Sequence, residues 1–125
     1  MITIEQVKKN VKSLNYGMET FGKAAEHYCN ALASNRLVFI NVKRLKNYHV
    51  YKVFFIMDDG FPYDMQMFFR ALGYRVNDKF EIYLPYNFRD VPPMENKKVL
   101  DFLYNNGFVT SDEYEKVQGM RVIEI

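Results

Sequence analysis

At 125 residues and a net charge of +2, the chain has the size of one ordinary domain, and its total charge is too small to imply a nucleic-acid or membrane partner by itself. Hydrophobic residues make up 49% and aromatic residues 17% of the sequence, enough apolar surface to offset chain entropy, which excludes a disordered chain. The lone Cys29 excludes an internal disulfide, no cationic hydrophobic leader opens the chain, and no apolar run nears the roughly 20 residues of a membrane span; the expectation is a cytoplasmic, intracellular protein.

Residues 3–33 read as one long amphipathic helix. Thr3 and Gln6 have the spacing of a capping box, and Glu5 suits the positive first turn. From there Ile4, Val7, Val11, Leu14, Met18, Phe21, Ala25, Tyr28 and Leu32 recur at alternating intervals of three and four, a heptad seam for packing against protein. A break at Asn15-Tyr16-Gly17 is the competing reading; the unbroken heptad phase favours a continuous helix. Ser34-Asn35 closes it, because Asn tolerates the left-handed conformation that ends helices.

A basic β-hairpin follows over 36–57. Its strands, Leu37 to Val42 and His49 to Met57, are rich in Val, Ile, Phe and Tyr, and the second carries apolar groups on both faces, as a central strand does. Asp58-Asp59-Gly60 is a turn, and Pro62 with Met65, Phe68, Phe69 and Leu72 predicts a helix over 62–72 closed by Gly73. Residues 74–84 suggest a second hairpin about Asn77-Asp78, with Phe80, Ile82 and Leu84 facing the core. The prolines between 85 and 93 predict irregular chain, residues 96–118 a helical hairpin, and residues 120–125 a last strand. The whole is one α+β domain: a long N-terminal amphipathic helix, a small mostly antiparallel sheet built from two hairpins, and a shorter C-terminal helical hairpin.

Within that last hairpin, Leu103-Tyr104-Asn105-Asn106-Gly107-Phe108-Val109-Thr110-Ser111-Asp112-Glu113-Tyr114 runs from a helix end through Gly to a Thr/Glu capping box. It resembles the helix-Gly-x-(Ile/Val)-Thr-x-x-Glu-(Phe/Tyr) unit of short C-terminal (SHOCT-type) domains. The resemblance implies a hairpin used for interaction.

No phosphate-binding glycine loop, nucleophile elbow or paired-cysteine motif is present, so neither catalysis nor a cofactor is expected. Asp58, Asp59 and Asp64 lack the alternate-residue spacing of a cation loop, and His27, His49 and Cys29 have no ligand-spaced companions, so no metal is expected. The first functional expectation is a non-catalytic binding protein that forms a homo-oligomer or docks a protein partner through Val7, Val11, Leu14, Met18, Phe21, Ala25 and Tyr28. A phage or mobile-element inhibitor or assembly factor fits that description. The second arises from charge: residues 36–52 hold Arg36, Lys43, Arg44, Lys46 and Lys52 and no acid, +5 against +2 overall, which leaves −3 for the other 108 residues. With Tyr48 beside them, Lys43, Arg44, Lys46 and Lys52 suit contact with phosphates and stacking on bases. A third expectation is capture of a small anion such as a nucleotide at an oligomer interface.

Overall fold

The computed structural model describes residues 2–86, 90–117 and 123–124. Its helices are α1 (Ile4–Ser13), α2 (Met18–Ala33), α3 (Gln66–Ala71), α4 (Val91–Asn105) and α5 (Ser111–Lys116). Its strands are β1 (Leu37–Arg44), β2 (Tyr48–Ile56), β3 (Pro62–Asp64), β4 (Ile82–Pro85) and β5 (Ile123–Glu124), joined in one mostly antiparallel sheet. The fold is α+β.

The long N-terminal helix is matched by α2, while the ten residues before it form a separate helix. Thr3 caps α1 as expected, its hydroxyl accepting from the Gln6 amide at 3.2 Å. Past the end of α1, Asn15 turns to φ 53°. The Tyr16 amide then donates to the Val11 carbonyl at 2.8 Å and the Asn15 amide to Lys12 at 3.2 Å, the paired bonds of a Schellman stop. Asn35, Gly73 and Gly107 close α2, α3 and α4 with positive φ and the same bond pattern. The heptad phase survives the break because Val7 and Val11 of α1 and Phe21, Ala25, Tyr28 and Leu32 of α2 enter one core.

In the sheet, β1 and β2 form the expected hairpin, closed by the Leu45 amide donating to the Tyr48 carbonyl at 2.8 Å. The register slips between Asn41 and Lys43, so Val42 is bulged outward. Strand β2 is central: β1 lines one edge, while β3 and β4 share the other end to end, at residues 54–56 and 48–51. Alternation along these strands gives two faces. Leu37, Phe39, Tyr51, Val53, Ile82 and Leu84 join the core cluster with the helices, whereas Val38, Ile40, Val50, Phe54 and Ile56 lie outside it.

Three expected elements have different bounds. The helix over 62–72 begins only at Gln66, because Pro62 pairs with Ile56 on an edge of the sheet and Asp64 takes the Gln66 amide at 2.7 Å. The second hairpin shrinks to one bridge, Val76 with Ile82, with the Tyr83 amide donating to the Arg75 carbonyl at 3.0 Å, while β4 pairs with β2 on its other edge; Phe80, at φ 63°, is 55% exposed rather than in the core. Helix α4 starts at Val91, because Pro92 and Pro93 occupy first-turn positions where no amide donor is needed. It leads into α5 through the expected Thr110/Glu113 capping box. Of the expected last strand, Ile123–Glu124 pairs parallel with Val38 and Phe39 of β1; residues 120–122 and 125 lie outside the described residues.

Candidate nucleic-acid interface

The hairpin projects its cations as the sequence implies. Lys43, Arg44 and Lys46 are exposed about the turn, and Lys52 is half-buried further down β2. Among the described residues these four make no ion pair, whereas Arg36 at the far end of the hairpin is bound to Asp58. The bulge at Val42 matters here, since it sets Lys43 opposite Val50, on the face away from the helices. Tyr48, Val50, Lys52, Phe54 and Ile56 share that face by alternation.

Strand β4 adds what the hairpin lacks. Tyr83 lies opposite Val50, and its ring centroid is 6.5 Å from that of Tyr48 at 74°. The Arg75 guanidinium sits 4.1 Å from the Tyr83 centroid, a cation-π contact that holds a fifth positive group beside the rings. Tyr48 is 44% exposed, and Tyr83 and Phe54 are half-buried. Asp64 shares the face opposite Phe54; burial raises its pKa, against the Gln66 amide and the charge of Lys52. The surface thus combines aromatic faces with cations, of which Lys52 has a nearby carboxylate, Asp64. Phosphates and bases can be held by such a surface without any moving part.

The sequence singles out Lys43, Arg44, Lys46, Tyr48 and Lys52 as candidates, and the structure sets Phe54, Arg75 and Tyr83 beside them. Phe54 was within reach, being six residues from Tyr48 on an alternating strand. The other two depend on β4 pairing with β2, a long-range register that no local signal carries.

The helical seam has a different fate. Val7, Val11, Phe21, Ala25 and Tyr28 are between 0% and 3% exposed, and Leu14 and Met18 are half-buried. Their apolar surface is spent on the chain's own core, so the stripe is not a free docking face. Tyr28 packs tilted on Phe68 and edge-on to Phe69, its hydroxyl donating to Asn96.

The remaining candidates have structural roles. Asp58 pairs with Arg36, and Asp59 accepts from the Phe61 amide at 3.0 Å. The rings of His27, Phe55 and Tyr63 cluster within 5.7 Å. His49 packs against Tyr86 at 4.7 Å. Cys29 is buried, and its thiol is pushed up to about 11, by burial first and the Glu113 carboxylate second, which suppresses the thiolate at neutral pH. Among the described residues no group of three or more His, Cys, Asp or Glu could hold a metal ion, and no helix is long and apolar enough to cross a membrane. No family model matches the chain, and no curated protein or solved structure was found to be similar to it.

Proposed function

We propose that the chain is a binding protein for single-stranded nucleic acid, held across the face of the sheet that points away from the described helices. The observation that carries this reading is the juxtaposition of Tyr48 and Tyr83, 6.5 Å apart, with Lys43, Arg44, Lys46 and Lys52, which make no ion pair among the described residues. Bases unstacked from a duplex offer π-faces to tyrosines, and the flanking lysines and arginine neutralise phosphates along the strand. Aromatic side chains on a sheet face favour a single strand because a duplex keeps its base faces stacked and out of reach. Association through the Val7-to-Tyr28 stripe is the weaker reading, since those side chains are already buried.

Fluorescence anisotropy with labelled single-stranded DNA, single-stranded RNA and duplex across a salt series tests the proposal. Single strands should bind more tightly than duplex. With about three or four phosphates neutralised, affinity should fall roughly 20- to 50-fold between 50 and 200 mM salt. Lys43→Glu/Arg44→Glu should abolish most binding, and Tyr48→Ala should cost about 1–3 kcal/mol. Absence of binding at low salt, or a charge-reversed variant that binds like the parent, removes the reading.

A further inference from the structure

One side chain on the proposed binding face has the wrong sign for a phosphate. Asp64 of β3 lies opposite Phe54 of β2, and cross-strand partners point to the same side of a sheet, so its carboxylate shares the face of Phe54 and Lys52. Its Oδ1 accepts the Gln66 amide at 2.7 Å, which is all the turn into α3 requires, and its Oδ2 takes no hydrogen bond among the described residues. The charge of Lys52 acts on the carboxylate, yet the two side chains form no ion pair.

We infer that Asp64 is a specificity-determining residue, selecting guanine for the nucleotide whose base stacks on Phe54; the inference rests on the nucleic-acid reading above and names its sequence preference. An ionised carboxylate accepts hydrogen bonds and donates none, so it repels phosphate and favours a base edge that carries donors. Opposed Cβ atoms stand about 4.5–5.5 Å apart, which brings the carboxylate within reach of the edge of a base lying on the Phe54 ring. Single-stranded bases offer their Watson–Crick edges to such groups. Guanine presents N1–H and an N2 amino group side by side, a match for two carboxylate oxygens. Adenine and cytosine present one amino group beside a ring nitrogen acceptor. Thymine and uracil present one N–H between two carbonyls, which oppose the negative charge.

The selection is confined to one position. Tyr83 lies opposite Val50 and Asp64 opposite Phe54, four residues further along β2, about 13 Å. The Tyr48 and Tyr83 rings and the hairpin cations therefore engage other nucleotides, and stacking with phosphate contact accepts any base.

Fluorescence anisotropy of the full chain with labelled oligothymidylate, and with the same oligomer carrying one guanine, inosine, adenine or cytosine, is the test. A single strand can slide, so the favoured base finds the Phe54 position. The guanine oligomer should bind about tenfold tighter than oligothymidylate, with inosine, which lacks the N2 amino group, in between. Asp64→Asn keeps an acceptor for the Gln66 amide and removes the charge; it should tighten oligothymidylate and reduce the guanine preference to within about twofold. Equal binding of the guanine and thymine oligomers by the parent, or a guanine preference that persists in Asp64→Asn, would overturn the inference and leave the nucleic-acid reading standing. Absence of binding to every oligomer would remove that reading and this inference with it.

Discussion

Alternate residues of β2 experience two environments. Tyr51 and Val53 point into the core shared with α1 to α5, where Phe39, Tyr51 and Phe69 meet edge to face, while Val50, Lys52 and Phe54 point away from the described helices. On the covered side the neighbours are rings and aliphatic groups at van der Waals distance. On the other side the neighbours are Tyr83, Lys43 and Asp64 from adjoining strands, amphipathic groups that shield the sheet while leaving polar ends in water. The helices thus supply the packing of one face, while on the other Val50 is buried and Lys52 and Phe54 are half-buried.

Paired truncations test that division. Phe39→Ala removes a side chain that is 0% exposed and should cost about 3–5 kcal/mol, measured as a lowered urea midpoint with unchanged slope. Phe54→Ala, on the half-buried face, should cost no more than about 1–2 kcal/mol. Equal losses would mean that the second face is packed as tightly as the first.

A smaller effect is expected within the core itself. Tyr28 is fully buried and donates to the Asn96 Oδ1, while the Asn96 Nδ2 has no hydrogen-bond partner among the described residues. Burial holds the Tyr28 phenol neutral, well above its ordinary pKa, with Tyr74 and Glu95 adding to the effect. Tyr28→Phe should cost about 1–3 kcal/mol, because it leaves a buried amide without its one bond. Combining it with Asn96→Leu should recover part of that loss in chemical denaturation, since the orphaned amide is then gone. A double variant no better than the single one would show that packing, rather than the polar pair, dominates there.

The division was partly legible in the letters. Alternation identified both faces of β2 and placed Lys52 with Phe54, and turn residues located the hairpin that carries the cations. Asn35, Gly73 and Gly107 announced helix ends correctly, yet Asn15 carries the same letter and the same conformation as Asn35 and was outweighed by the heptad pattern. That pattern reports a shared core, which two helices satisfy as well as one. Pro92 and Pro93 are compatible with a first helical turn and with irregular chain alike, so local rules could not separate the two. Tyr83 and Arg75 stayed hidden for a different reason: their place beside Tyr48 is set by strand pairing over more than thirty residues of chain.

The helix break gives the smallest effect and separates the two faces most cleanly. Asn15 at φ 53° directs the chain between α1 and α2, so that Val7 and Phe21 both reach the covered side of the sheet. Asn15→Ala puts an alanine Cβ in the left-handed region and should cost about 1–2 kcal/mol. Asn15→Gly removes the Cβ and should lie within a few tenths of a kcal/mol of the parent, the ease of the turn offsetting the entropy of a freer unfolded chain. Neither change touches the hairpin, so nucleic-acid affinity should stay constant while thermal unfolding shifts in the alanine variant alone. If affinity fell with Asn15→Ala at temperatures where the chain remains folded, the helical layer would be shaping the binding face, and the independence of the two sides of the sheet would have to be abandoned.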